Sequence, residues 1–187
     1  MASPTTDEKD DFLLSCRYGD LDDVKQFVAQ FGTAAAAEAT DDNGNTALHM
    51  LCGNGHADLL DFLLPLVPAS LLAAQNISQS TPLHWAALNS HLEIVKKLVQ
   101  FPGGPGGDLI DIKNAAGRSP LGEAELAGWD DGAQWLVQMM KLEPGGDGKE
   151  TEGDVEAEDT DVASTGGIEI HIEDADGQMA KMRIGDP

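Results

Sequence analysis

The chain has 187 residues, 33 acidic and 11 basic, for a formal charge of −22. That length accommodates one ordinary domain and a tail. A surface so negative repels phosphates and anionic lipids, which argues against nucleic acid or membrane as direct partners and favours a basic protein surface.

The chain opens MASPTTDEKDD, acidic and unlike a signal or transit peptide. No apolar run approaches the roughly 20 residues that span a bilayer. Cys16 and Cys52, the only cysteines, lie in apolar or small-residue stretches and suit buried thiols in a reducing compartment. The expectation is an intracellular protein.

Residues 1–9 read as a disordered N-terminus, and residues 10–142 as a repeat domain. Three stretches share one template: DDNGNTALHMLCGNGHADLLDFLL (41–64), NISQSTPLHWAALNSHLEIVKKLV (76–99) and NAAGRSPLGEAELAGWDDGAQWLV (114–137). The Thr-X-Leu-His element steps 35 residues from Thr46 to Thr81, and Ser119 follows 38 residues later. FLLSCRYGDLDDVKQFV (12–28) echoes the second half alone. Thr46, Thr81 and Ser119 suit helix N-caps, with Pro82 and Pro120 in the first turn, where a missing N–H costs nothing. Gly19, Gly55 and Gly128 suit left-handed helix ends. Leu59, Leu60, Leu63 and Leu64, like Ile94, Val95, Leu98 and Val99, mark buried helical faces. VPASLLAA (67–74) and PGGPGG (102–107) read as surface loops inserted between repeats.

Thr81-Pro82-Leu83-His84-Trp85-Ala86-Ala87 resembles the signature of the ankyrin repeat, whose period is about 33 residues. The resemblance implies an all-α solenoid of about four helix-turn-helix repeats with β-turn tips. Gln79 stands where the family has glycine, so the second turn is expected to be distorted. Gly122 replaces the signature histidine and Glu125 an alanine, so the fourth repeat reads as a terminal cap, with Trp129 and Trp135 over its open end.

From Glu143 the composition shifts: residues 143–187 carry 14 acidic and 3 basic residues. Residues 143–167 read as a disordered acidic linker. In 168–187, Ile168, Ile170 and Ile172 alternate with polar residues and Asp176-Gly177 follows, a β-hairpin signal. A lone hairpin is marginal in water, so this motif either docks on its own protein or binds a partner.

The sequence carries no His-Glu-x-x-His, Cys-x-x-Cys, nucleophile elbow or dinucleotide fingerprint. No catalytic, cofactor or metal residues are therefore assigned, and the chain reads as a binding protein rather than an enzyme. His49 and His84 fit structural hydrogen-bonding positions between turns, and His56 and His91 fall at a matching site after the first helix.

In ankyrin stacks the concave face consists of turn tips and outward positions of the first helices. Carried onto this chain, the resemblance implies a partner-binding set of Asp41, Asp42, Asn43 and Asn45, then Ile77, Ser78 and Ser80, then Arg118, at the tips. On the helices it implies Arg17 and Tyr18, Met50 and Asn54, Trp85, Leu88 and Asn89, and Glu123 and Leu126. Trp85 serves either as an interface anchor or in ordinary inter-repeat packing. Glu156, Glu158, Asp159 and Asp161 represent the acidic tail.

The combination of a truncated first repeat, about four repeats and an acidic tail resembles the fungal ankyrin-repeat chaperones dedicated to a small-subunit ribosomal protein, the third in the ribosomal naming series. That resemblance implies capture of a very basic client as a heterodimer or 1:2 complex, solubilisation, and escort from cytoplasm to nucleus for 40S assembly. A regulatory inhibitor of a kinase or transcription factor is the competing class.

Overall fold

In the computed structural model the described residues are 3–142, 169–173 and 179–183. The linker 143–167 and the turn at Asp176-Gly177 lie outside them. The chain divides into two units, Met1–Asp147 and Gly148–Pro187.

The first unit is a stack of helical pairs. The pairs are α1 (Thr6–Tyr18) with α2 (Leu21–Phe31), α4 (Ala47–Asn54) with α5 (Ala57–Leu63), α6 (Pro82–Leu88) with α7 (Leu92–Val99), and α9 (Pro120–Leu126) with α10 (Asp130–Leu142). Between them lie α3 (Thr33–Glu38), a 3-10 helix (Ala69–Ala73) and α8 (Asp108–Asp111). The first helices form one row, α1 on α4, α4 on α6, α6 on α9. Small buried residues (Cys16, Cys52, Ala86, Ala87, Ala124) line that row and let the helices approach closely. The leucines and valines of α5 and α7 fill the second layer. Burial pushes the Cys16 thiol up to about 12 and the Cys52 thiol well above its ordinary value, so both remain unreactive neutral thiols.

Chain ends and insertions depart from the expectation in three places. Residues 1–9 are not all outside the fold: α1 begins at Thr6, closed by a capping box. The Glu8 N–H donates to the Thr5 hydroxyl at 3.2 Å, and the Thr5 N–H donates to the Glu8 carboxylate at 2.8 Å. VPASLLAA is not merely a surface loop, because its 3-10 turn sinks Leu72 into the core at 0% exposure. The helix α3, built from TAAAAE after Gly32, has no counterpart in the sequence reading, and it buries Ala36. PGGPGG lacks helix throughout, as its composition predicts.

The second turn is not distorted either. Gln79 adopts φ 56°, matching Gly44 at 73° and Gly117 at 74°. Its N–H donates to Asn76 C=O at 2.8 Å, like Gly44 to Asp41 at 2.9 Å and Gly117 to Asn114 at 2.8 Å. The side-chain amide of Gln75 holds the Gln79 carbonyl at 2.7 Å, so the loop accepts a strained non-glycine residue.

In the second unit, β1 (Glu169–Glu173) pairs antiparallel with β2 (Met179–Arg183), with Ile170 opposite Met182 and Glu173 opposite Met179.

Candidate functional site: the concave face

The turn tips are locked to one another before they present anything to a partner. The Ile77 N–H donates to Asn43 C=O and the Ala115 N–H to Ser78 C=O, both at 2.9 Å. Asn76 Nδ2 donates to Asn45 Oδ1 at 2.7 Å. Beneath the tips, histidines join each helix start to the next turn. His49 Nδ1 accepts the Thr46 N–H at 3.1 Å, which assigns its proton to Nε2, and Nε2 donates to Ser80 C=O at 2.9 Å. His84 repeats this with the Thr81 N–H at 3.1 Å and Arg118 C=O at 3.1 Å. Burial is the main reason both imidazoles sit below the ordinary histidine pKa, so they work as neutral donors.

His56 and His91 form a second tier. Nε2 of His56 reaches Arg17 C=O at 2.9 Å, and Nε2 of His91 reaches Gly53 C=O at 3.2 Å. Their rings pack against Gly19 and Gly55, where any Cβ would stand 2.7 and 2.9 Å from the imidazoles. The left-handed φ of 85° and 81° there also favours glycine.

The fourth repeat lacks the histidine and uses a carboxylate. Glu123 accepts from Asn114 Nδ2 at 2.6 Å and from Arg118 Nε at 3.0 Å. Asn114 Oδ1 in turn accepts the Ala116 and Arg118 N–H groups, at 3.0 and 3.1 Å.

Three grooves run along the face these tips and first helices frame. One of about 260 Å³, between α1 and α4, is lined by Asp10, Leu14, Arg17, Asp41 and Met50. The next, about 350 Å³, shares Arg17, Asp41 and Met50 and adds Asn43, Asn54 and Asn89. The third, about 570 Å³, lies between α6 and α9 and carries Ser78, Leu88, Ala116, Arg118 and Leu126. Trp85 is the wall common to the second and third. Its ring stands edge-on to His49 at 5.6 Å and covers Gly53, so it packs between repeats while its remaining edge faces both grooves.

Of the residues expected on this face, Arg17, Asp41, Asn43, Met50, Asn54, Ser78, Ser80, Trp85, Leu88, Asn89 and Arg118 line the grooves. Asp42 is exposed beside them without lining one. Tyr18 and Ile77 are exposed by 70% and 72% but lie off the grooves. Two expectations are corrected. Asn45 and Glu123 contribute to the groove walls yet are buried, with 6% and 4% exposure, because each is consumed in holding its own turn. The sequence template places both on the outward side and shows nothing of those local partners. Leu126, the other first-helix position expected in the fourth repeat, is exposed by 66% and lines the third groove. Trp129 and Trp135 are half-buried in the last pair, where Lys96 Nζ lies 6.0 Å from the Trp135 ring. Glu156, Glu158, Asp159 and Asp161 lie outside the described residues. Among the described residues no histidine, cysteine and carboxylate cluster could hold a metal, and no helix is long and apolar enough to cross a membrane.

Repeated helix pairs, locked tips and a grooved concave face define a protein-interaction solenoid. A family model for ankyrin repeats, in three copies, matches residues 12–108, more than half of the chain. The chain belongs to the ankyrin-repeat family. It is 35% identical over 117 residues to an ankyrin repeat-containing protein of Schizosaccharomyces pombe, covering 63% of this chain and 75% of that one. It is 34% identical over 108 residues to the human palmitoyltransferase ZDHHC13, covering 56% of this chain but only 15% of the larger protein. Among solved structures it resembles a chain in the crystal structure of the yeast ribosomal protein Rps3 in complex with its chaperone Yar1. There the TM-score is 0.68 and the identity 26%, covering 75% of this chain and 98% of the other. Ankyrin stacks of this kind are protein-binding modules, and this architecture is shared with a ribosomal-protein chaperone complex.

Proposed function

We propose that the protein is a chaperone that captures a highly basic client, a newly made small-subunit ribosomal protein, and keeps it soluble until 40S assembly. The supporting observation is the likeness to the Rps3–Yar1 structure, which extends over 98% of the matched chain and arises in a protein of charge −22. The concave face holds structured parts of the client, and the acidic residues of 143–187 cover its RNA-binding surface until RNA displaces them. The protein acts in cytoplasm and nucleus, escorting the client through import as a heterodimer or 1:2 complex.

The test is co-expression with yeast Rps3 followed by sedimentation, together with affinity purification from a fungal lysate and mass spectrometry of the stoichiometric partner. The expected result is a soluble complex and recovery of a small-subunit ribosomal protein. A client that sediments regardless, or a kinase or transcription factor recovered in its place, overturns the reading.

A further inference from the structure

At the α1–α4 end the grooves carry Asp10 and Asp41 together with the exposed Arg17. At the α6–α9 end Leu88 and Leu126, exposed by 47% and 66%, join Trp85 in one groove, where the carboxylate of Glu123 is buried. Among the described residues Arg118 is the one cation lining that groove, in a chain with three acidic residues for each basic one.

The neighbouring carboxylate accounts for the position of Arg118 without using it up. Glu123 accepts only from Nε at 3.0 Å, and it is also engaged by Asn114. A guanidinium has five N–H donors, so the fork's outer donors remain available. The Arg118 side chain is 45% exposed against 6% for Glu123. The root of the fork is therefore fixed in the wall while its tip is open to the groove. A fixed planar fork beside exposed apolar surface fits a carboxylate carried next to a large apolar side chain. A second cation would be repelled there, and an isolated anion would be disfavoured by the charge of the whole chain.

We propose that the α6–α9 groove takes an amphipathic segment of the client. A large apolar side chain enters between Trp85 and Leu126, and an adjacent carboxylate seats on Arg118. The inference rests on the concave face being the docking surface.

The probe is a pair of short amphipathic synthetic peptides, identical except for Glu or Gln one helical turn after a leucine. Each is titrated into the full chain while the Trp85 indole resonance is followed. The Glu peptide is expected to bind about fivefold tighter at physiological ionic strength, as a partly exposed charge pair allows. In Arg118→Gln the preference should fall below about twofold, and Arg118→Lys, which keeps the charge without the fork, should restore part of it. Lys97→Gln, which removes a cation paired with Asp61 and Glu93 outside the groove, is the control for net charge and should keep the full preference for Glu. Equal binding of the two peptides to the wild type, a preference that survives Arg118→Gln, or no response at Trp85 would each overturn the proposal. If Rps3 fails to bind while the Glu preference persists, the client is wrong and the groove's selectivity stands.

Discussion

The histidines show how far single residues could be read. Their repeat positions predict bridges between turns, and His49 and His84 make them from helix start to the next carbonyl. Replacing His84 by Gln should destabilise the stack by about 2 kcal/mol, because the Thr81 N–H and the Arg118 carbonyl would lose a buried partner. Urea unfolding of the purified variant measures this. The bridges also carry a pH dependence. Both imidazoles are held below the ordinary histidine pKa, first by burial, so the unfolded chain takes up protons that the native state refuses. Their stabilisation is fully present above the unfolded value of about 6.5 and is lost progressively as pH falls from there through the lowered folded values. His49→Gln and His84→Gln should each flatten the fall in stability between neutral and mildly acidic pH, relative to the wild type. Gln79 is the opposite case, a residue whose identity misleads. Its side chain suggests a broken turn, yet the backbone takes the glycine conformation, held by Gln75. Gln79→Gly should raise stability by about 0.5–1 kcal/mol, the relieved left-handed strain outweighing the entropy of the unfolded glycine. A lower urea midpoint would contradict that.

At the scale of elements, three helix pairs were legible because each repeats the cap and apolar pattern in order, and the first because 12–28 echoes the second half of that template. The pieces that were not legible lack a period to betray them. Nothing in TAAAAE announces α3 beyond alanine content, and Leu72 looks like part of a linker until the 3-10 turn carries it into the core. The start of α1 was hidden because an acidic, polar stretch reads as disordered unless Thr5 and Glu8 are recognised as a capping box. Thr5→Ala should therefore cost about 1 kcal/mol rather than nothing. Spacing between first helices is set by small residues under Trp85. A Cβ at Gly53 would lie 2.8 Å from the Trp85 ring, so Gly53→Ala must tilt the indole. We expect a shifted Trp85 indole resonance and weaker client binding, with helicity by circular dichroism unchanged or slightly raised, since alanine is the better helix former.

For the whole molecule, charge and fold carry different information. The repeats specify a binding stack, and the 33 acidic against 11 basic residues are what support the basic client proposed for it. Residues 143–187 supply half of that excess, with 14 acidic and 3 basic residues. Deleting them should steepen client aggregation and reduce the salt dependence of binding, while the stack's thermal midpoint stays the same. Which polar side chains the concave face leaves free for a partner was not legible, because that depends on which are consumed by their own turns. Asn45 and Glu123 are consumed, and Arg118 is only half so.

The central claim is that this face, through Trp85, holds a basic ribosomal client. Titration of yeast Rps3 into the wild type and into Trp85→Ala, at low and moderate salt, tests it most directly. Binding is expected to weaken steeply with salt and to fall about tenfold or more in the variant, while the variant remains folded. Wild-type affinity in a folded Trp85→Ala, or binding indifferent to salt, would contradict it.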